Sequence, residues 1–228
     1  MTVPCSIRRD IFLKIEPVAD YSPLAPELCA RHYGRDCQFN EVHELGRIPA
    51  EEILAARVNA LVYREYLDAD YTVPNTAPLI AADINEPEWQ RRVPGAVIRT
   101  TPGERLYIHV LNGDPEECNS LHVHGLHYGI ESDGAWPRGV ASKDGRRSDE
   151  ILAGQSWTYV FEVADKTIGA WPFHDHVHHV QANINRGLFG GIIVCDPKAS
   201  RVDHEVPLFM HAMAGDAGHC KFESPTIV

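Results

Sequence analysis

Two short histidine pairs are the residues of this chain best suited to chemistry. His122 and His124 are separated by one residue, and so are His174 and His176. Neutral imidazole is the commonest transition-metal ligand among side chains. Because alternate side chains of a β-strand face the same way, His-x-His on a strand directs both rings to one side. The two pairs together predict a wall of four imidazoles that binds a metal.

The competing interpretation is chance pairing, since the chain contains 13 histidines in 228 residues. The sequence around the pairs favours the metal. Gly125 follows the first pair directly, and Trp171 and Phe173 precede the second. Two such pairs in aromatic and glycine-containing surroundings are more specific than a single short motif.

The elements that must position these pairs are short strands. From Pro78 onward, β-like runs are punctuated by proline and glycine, which is typical of an all-β sandwich. The predicted strands cover residues 79–82, 96–101, 105–111, 120–124, 157–163, 169–174 and 190–195. Residues 133–147, rich in glycine, arginine and aspartate, predict a long loop.

The amino-terminal third has a different texture. Residues 1–46 contain four prolines among polar and small apolar residues, which predicts an extended arm. After Pro49, apolar residues recur at helical spacing through residues 50–67 and predict one amphipathic helix, whose apolar stripe packs on the main domain or contacts another subunit. The predicted organisation is an arm and helix at 1–77, a β domain at 78–197 and a carboxy-terminal extension at 198–228.

The charge and the apolar content of the sequence limit the classes of partner and the compartment that we expect. With 21 lysines and arginines against 32 acidic residues, the net charge of −11 argues against a nucleic-acid partner. No apolar run approaches the roughly 20 residues of a membrane helix, so we expect a soluble protein with no membrane partner. The first residues lack a signal-peptide pattern, which predicts a cytoplasmic protein as written, or an extracytoplasmic one if the chain is processed.

The six cysteines are widely spread and include no Cys-x-x-Cys pair. The spacing therefore does not fit a zinc ribbon or a thioredoxin motif. Cys29 and Cys37 could form a disulfide in an oxidising compartment, whereas free thiols are expected in a cytosolic protein.

Five sequence blocks follow one another between residues 94 and 194. They are PGAVIRTTPGERLYIHVLN at 94–112, SLHVHG at 120–125, ILAGQSWTYVF at 151–161, GAWPFHDH at 169–176 and GLFGGIIV at 187–194. In content and order they resemble the first cupredoxin domain of multicopper oxidases. The resemblance implies a cupredoxin-like Greek-key β-sandwich with copper ions as cofactors. It covers somewhat under half of the chain and excludes the amino-terminal arm and helix.

The resemblance also implies roles for the four histidines. In that family the first domain supplies four histidines to a trinuclear copper cluster, which lies between two cupredoxin domains and reduces dioxygen to water. By position, His122 resembles the type 2 copper ligand, and His124, His174 and His176 resemble ligands of the type 3 pair. Each is expected to donate its second ring N–H to a carbonyl or carboxylate.

Nearby acidic residues are expected to support the ligands rather than to bind copper. Asp175 falls on the opposite strand face from the two histidines beside it, which predicts a supporting or structural role. Asp133 and Asp149 are weaker candidates for the same supporting role.

A type 1 copper site is not expected in this chain. In the family's terminal domain a cysteine between two histidines ligates that copper, whereas this chain has Asp175 in the corresponding position. A blue-copper site requires a thiolate with two imidazoles. Neither Cys195 nor Cys220 is followed by a suitable histidine.

The family cluster needs about as many histidines again, and none of the remaining ones forms another His-x-His motif. They are His32, His43, His109, His127, His178, His179, His204, His211 and His219. His178 and His179 fit either the rim of the site or a polar loop, and His109 fits a satisfied core or surface residue. His211, between two methionines, fits a soft copper site or ordinary core. The missing ligands are therefore expected from a second copy of the chain, a complementary cupredoxin subunit, or further sequence.

The leading hypothesis is a copper-dependent oxidoreductase that supplies half of a trinuclear copper site and uses dioxygen and a small reductant. The reductant, whether a phenol, a metal ion or an inorganic molecule, stays open. The second hypothesis is a non-catalytic copper-binding or assembly subunit. A third keeps the fold but places zinc in a shell of three or four histidines.

Overall fold

The computed structural model describes residues 7–18, 60–75 and 95–200, together with residues 207 and 209. Most of the regular structure in these residues is β-strand. In chain order the strands are β1 (Ile7–Val18), β2 (Ala60–Tyr66), β3 (Val97–Thr100), β4 (Glu104–Asn112), β5 (His122–Val123), β6 (Ser156–Glu162), β7 (Gly169–His174) and β8 (Phe189–Val194).

The strands form two four-stranded sheets. The first sheet has the order β2-β1-β4-β6, and the second has the order β3-β8-β7-β5. Strand β1 runs antiparallel to β2 and parallel to β4, and β3 runs parallel to β8. Parallel neighbours cannot be joined by a tight hairpin, so each sheet combines segments that are distant in sequence.

Alternation of apolar and polar residues explains why these segments are strands. In β4 the side chains of Leu106, Ile108 and Val110 are fully buried, while the residues between them are partly exposed. Ile11 and Leu13 of β1 follow the same pattern. Residues from both sheets form one continuous core, which makes the pair of sheets a sandwich. Full burial of each such side chain contributes about 1.5–3 kcal/mol.

Helical structure is scarce in the residues that the structure describes. One α-helix, α1, covers Val180–Asn185, and single 3₁₀ turns cover Ile130–Ser132 and Asp165–Thr167. Within these residues, no helix has both the length and the apolar character needed to cross a bilayer.

The predicted all-β sandwich is confirmed. The strands predicted around residues 96–101, 105–111, 157–163, 169–174 and 190–195 agree with β3, β4, β6, β7 and β8 within one or two residues. The strand predicted at 120–124 is shorter, because β5 contains only His122 and Val123. The strand predicted at 79–82 lies outside the described residues.

The prediction of an amino-terminal arm outside the packed domain is wrong for residues 7–18. These residues form β1, an interior strand of the first sheet, with Ile11, Leu13 and Ile15 in the core. Pro17 suggested an irregular segment, but a proline is compatible with this position in the strand. It follows Ile15, the last residue of β1 that pairs with β4, so its missing N–H faces no partner on that side.

The predicted helix at 50–67 is wrong for residues 60–66, which form β2. Leu61 and Tyr63 point into the main core, while Ala60 and Val62 pack in a second cluster with Phe189. Because the strand is covered on both faces, its apolar residues are consecutive and lose the alternation that identifies a half-buried strand. Residues 50–59 lie outside the described residues.

Several other predictions also fall outside the described residues. They include the Cys29–Cys37 disulfide and the interpretation of His211. The domain limits 1–77, 78–197 and 198–228 stay predictions, although β1 and β2 share a sheet with β4.

Candidate metal centre

The two histidine pairs lie on neighbouring strands of the second sheet. Strands β5 and β7 are antiparallel, and His122 lies directly opposite His174, as Val123 lies opposite Phe173. Val123 and Phe173 point into the core and are fully buried. Side chains alternate along a strand, so the histidines next to them point out of the other face.

The four rings form a compact group, called here the four-histidine wall (His122, His124, His174 and His176). The ring centroid of His122 lies 4.8 Å from the centroid of His124, 5.5 Å from that of His174 and 5.1 Å from that of His176. The ring centroid of His174 lies 5.1 Å from that of His124 and 5.6 Å from that of His176. The structure therefore brings together all four histidines that the sequence singled out.

A glycine turn positions the end of the first pair. His124 follows the last residue of β5, and its backbone N–H donates to the carbonyl of Pro172 at 3.1 Å. Gly125 then has φ +77°, and a Cβ there would lie 2.0 Å from the ring of Trp171. Only glycine accommodates both the positive φ and the close approach of the indole.

Backbone carbonyls fix two of the rings. His122 Nδ1 lies 2.6 Å from the carbonyl oxygen of Asp133, and His174 Nδ1 lies 2.8 Å from that of Asp175. A carbonyl only accepts, so each Nδ1 carries the proton and each Nε2 keeps its lone pair. For these two rings the expected bond from the second nitrogen is present.

The other two rings are held differently. His124 Nε2 lies 3.0 Å from His174 Nε2, so the two nitrogens face each other. His176 Nδ1 is buried and has no hydrogen-bond partner within the part of the chain that the structure describes. The backbone of His176 is nevertheless fixed, since its N–H donates to Ser120 Oγ at 3.1 Å and its carbonyl accepts from Trp136 N–H at 3.2 Å.

The surroundings favour the neutral form of two of these imidazoles, His124 and His174. Burial lowers the pKa of His174 to about 4, and the neighbouring histidines of the wall lower it further. Burial also lowers the pKa of His124, again with contributions from His122 and His176. A neutral imidazole has a free lone pair at neutral pH and can bind a metal.

Asp175 is fully buried and faces away from the wall, as the sequence predicted. Its carboxylate accepts from Ser120 N–H at 2.8 Å, Asn183 Nδ2 at 2.8 Å and Val177 N–H at 3.2 Å. Burial raises the pKa of Asp175 to about 6. The side chain joins the segment before His122 to the segment of the second pair, and it does not contribute to the ligand face.

The two weaker supporting candidates have different positions. Asp133 is at the wall, where its carbonyl fixes His122 and its carboxylate oxygen lies 3.6 Å from the same ring nitrogen. Asp149 is fully buried and accepts from Gly139 N–H at 2.8 Å while pairing with Arg147 at 3.0 Å. Asp149 therefore holds the loop at residues 133–147 and does not contact a histidine of the wall.

The other described histidines that the sequence considered are not in the wall. His109 lies in the first sheet, where its ring contacts Asp10 and Thr158 at 2.9 Å each. His178 lies 3.0 Å from Glu150, and His179 immediately precedes α1.

Three residues with roles at the site were missed from the sequence. Tyr128 has its ring centroid 6.3 Å from that of His122, Ser120 connects both histidine segments, and Asn183 holds Asp175 from α1. A serine or tyrosine near a histidine motif is too common to carry a signal. These contacts depend on the antiparallel pairing of β5 with β7.

The donor set fits copper. Imidazole nitrogens suit copper ions. Four imidazoles converge here, the pKa values of His124 and His174 are lowered, and His176 Nδ1 is buried without a hydrogen-bond partner among the described residues. A carboxylate-rich set would favour calcium or magnesium. Among the described residues, the wall itself contains no carboxylate ligand, because Asp175 points away from it.

Comparison with known proteins agrees with the geometry. A family model described as multicopper oxidase matches residues 88–199. The mouse (Mus musculus) protein named ferroxidase HEPHL1 is 29% identical over 143 residues, which are 59% of this chain and 11% of that protein. The chain thus spans about a tenth of the length of this curated relative.

Solved structures show the same fold. A crystal structure of a multicopper oxidase has a TM-score of 0.54 at 18% identity, covering 97% of this chain and 54% of that one. The multicopper oxidase of Pseudomonas thermotolerans has a TM-score of 0.51 at 18% identity, covering 87% of this chain and 32% of that one. The predicted cupredoxin-like fold is therefore confirmed, and homologues in this family bind copper ions. Residues 88–199, just under half of this chain, thus match the multicopper oxidase family.

Proposed function

We propose that this chain is a copper-dependent oxidoreductase that supplies half of a trinuclear copper site. The observation that carries the proposal is the convergence of four imidazoles from β5, β7 and their continuations, with neighbouring ring centroids 4.8–5.6 Å apart. When bound, copper ions there would pass electrons to dioxygen and reduce it to water. The chain's own contribution is to hold the ligands in fixed positions and in the correct protonation state.

The two facing nitrogens support a shared ion. His124 Nε2 and His174 Nε2 are 3.0 Å apart, and each belongs to a different histidine pair. Imidazole nitrogens bind metals such as zinc at about 2.0–2.1 Å, so two nitrogens at this separation can bind a single ion. We assign these two residues to one copper of the type 3 pair, His176 to the other, and His122 to the type 2 copper.

No type 1 copper is proposed in this chain. A blue-copper site requires a thiolate beside two imidazoles. The residue between the second pair is Asp175, and its carboxylate is already occupied by three donors inside the fold. Electrons would therefore enter through another domain or subunit. Copper bound at the four-histidine wall should lack the intense visible absorption of a copper–thiolate bond.

The remaining ligands are proposed to come from a second cupredoxin unit, supplied by another copy of this chain or by a complementary subunit. Exposed apolar and aromatic residues beside the wall support this arrangement. Tyr128, Ile130 and Trp136, in the loop between β5 and β6, have 37%, 54% and 41% of their surface exposed. Clustered exposed residues of this kind commonly mark a protein interface.

The reductant is proposed to be small, with ferrous iron the first to test, because a similar protein is named a ferroxidase. A phenol is the comparison substrate. Association with another chain is expected to be necessary for turnover, since four histidines are about half of a trinuclear ligand set.

The experiment is copper reconstitution of the full chain, followed by measurement of molar mass, bound copper and oxygen consumption with ferrous iron or a phenol. Three coppers per completed site in an oligomer, with oxygen consumption, supports the proposal. If homogeneous chain binds at most one copper and consumes no oxygen, even with a cupredoxin partner added, the non-catalytic copper-binding subunit is the correct function.

A further inference from the structure

A second group of metal-binding side chains lies outside the four-histidine wall. The Cys–Glu–His cluster consists of Cys118, Glu150 and His178, whose ligand atoms all lie within 4.8 Å of one another. Cys118 Sγ is 3.7 Å from Glu150 Oε1, and His178 Nε2 is 3.0 Å from the same oxygen. Sulfur, nitrogen and oxygen donors thus converge on one point.

The fold explains why these residues meet. Asn119 and Ile151 form an antiparallel bridge, with backbone hydrogen bonds of 3.0 and 2.8 Å in the two directions. Residues one position before each bridge partner lie on the same face, as diagonal neighbours. Cys118 and Glu150 are these residues, so their side chains emerge side by side.

His178 is brought to the same point by the turn that follows the second histidine pair. Its φ is +40°, an uncommon conformation for a residue other than glycine. Its ring lies against Trp136, with centroids 4.4 Å apart. The turn and the indole together direct the imidazole toward Glu150.

We propose that the Cys–Glu–His cluster binds one Zn²⁺ ion, as a site whose ligands are separate from the four-histidine wall. Zinc takes cysteine, histidine and carboxylate ligands in a tetrahedral arrangement, and three protein ligands leave one position for water. Side-chain exposure of 27% for Glu150 and 37% for His178 gives an ion access from solvent.

Local charge is consistent with a divalent cation. A thiolate and a carboxylate together supply two negative charges, which match the ion. Arg147 Nε lies 3.8 Å from Glu150 Oε2, while Glu150 Oε1 faces Cys118 and His178.

A nucleophilic role for the cysteine is less consistent with the structure. Burial and the neighbouring Glu150 raise the pKa of the Cys118 thiol to about 11. Reactive cysteines have lowered pKa values and lie in electropositive surroundings. A bound cation would reverse this condition, because coordination deprotonates a thiol.

Cobalt provides the test, since Co²⁺ substitutes for Zn²⁺ and a cobalt–thiolate bond gives a near-ultraviolet charge-transfer band. The full chain, free of metal, is titrated with Co²⁺ and then with Zn²⁺. A site of histidines alone gives no such band, so the four-histidine wall does not contribute to it. We expect one equivalent of cobalt–thiolate absorption, which Zn²⁺ then displaces.

The variants separate the cluster from other thiols. Cys118→Ser should abolish the band, whereas Cys195→Ser, at the other described free cysteine, should leave it unchanged. Glu150→Gln and His178→Ala should weaken cobalt binding by at least about tenfold. Glu150→Gln preserves size and hydrogen bonding, so it tests the ligand even if Cys118→Ser folds poorly.

Two results would overturn the proposal. The first is absence of a thiolate band from folded full chain at saturating cobalt, which would make the cluster a hydrogen-bonded surface group only. The second is a band of full intensity in folded Cys118→Ser protein, which would assign cobalt binding to another cysteine.

Discussion

His122 lies directly across the β5–β7 ladder from His174, and their ring centroids are 5.5 Å apart. Each ring donates its Nδ1 proton to a backbone carbonyl, at 2.6 and 2.8 Å. The backbone thus determines both the separation of the rings and the nitrogen that each one presents. A ligand set built in this way is organised before any ion binds.

Removing the second histidine pair should remove copper without unfolding the protein. The His174→Ala, His176→Ala double variant loses two of four imidazoles, while the apolar core behind them, including Phe173, is unchanged. We expect bound copper to fall to a small fraction of the parent value with the same β-sheet circular dichroism. Copper analysis after dialysis is the measurement. His109→Ala, in the other sheet, is the matched control, and unchanged copper content in the double variant would rule out the site.

Asp175 should matter for both stability and copper binding, although it is not a ligand. Asp175→Ala leaves the buried donors of Ser120 and Asn183 without an acceptor, which should lower the free energy of unfolding by about 2–4 kcal/mol. Copper affinity should fall as well, because the two histidine segments lose their connection. Urea unfolding and copper titration measure the two effects. Asp144→Ala, on an exposed part of the long loop, is the control, and an unaltered unfolding midpoint for Asp175→Ala would contradict the role.

The turn after the first pair should tolerate no side chain. Gly125→Ala places a Cβ about where the Trp171 ring lies and also strains the backbone, so we expect a loss of at least about 2 kcal/mol. Gly154→Ala separates the backbone strain from the clash with the indole, because Gly154 has φ +73° but open space where the Cβ would lie. That variant should lose only about 1 kcal/mol. Equal thermal stability of the two variants would show that the indole contact has no effect.

Glu16 predicts a pH-dependent contribution to stability in the first sheet. Burial raises its pKa, but hydrogen bonds from Tyr66, Lys14 and Arg64 outweigh burial, so the pKa is lowered below the ordinary value of 4.5. A lowered folded-state pKa means that the stabilisation is present above pH 4.5 and is lost as pH falls through the folded value. Glu16→Gln should therefore cost about 1–2 kcal/mol at pH 7.

The cost of Glu16→Gln should shrink as the pH is lowered below 4.5. Chemical denaturation at several pH values measures this difference. Glu162→Gln, at an exposed carboxylate 3.9 Å from Arg105, should have little effect at any pH. A Glu16→Gln penalty that is constant from pH 7 to pH 3 would contradict the linkage.

The sequence predicted the histidine pairs and the strands from β3 onward better than it predicted β1 and β2. His-x-His spacing and the alternation in β4 and β7 are local signals, and they require no knowledge of distant residues. In β2, burial of Ala60 and Val62 depends on Val18 and Phe189, which are remote in sequence. Such two-sided burial cannot be distinguished from a helix by local periodicity.

The supporting contacts of the site were hidden for a similar reason. The hydrogen bond that His176 N–H donates to Ser120 Oγ joins segments more than 25 residues apart, and so does the Cys–Glu–His cluster. Their residue types are common on protein surfaces, so only the pairing of strands makes them significant. Asp133 was found because it is close in sequence to the first pair, but its contact to His122 Nδ1 is made mainly through the backbone.

The interior position of β1 determines which fragments of this protein can be handled alone. Strand β1 pairs with β4 from Ile7 opposite Glu104 to Ile15 opposite Asn112. A fragment limited to residues 88–199 would lack β1 and leave that side of β4 as an open edge. Open edges recruit strands from other molecules, so the fragment should aggregate at concentrations where the full chain stays dispersed. A synthetic peptide of residues 7–18, added in trans, should restore solubility by taking the empty position beside β4.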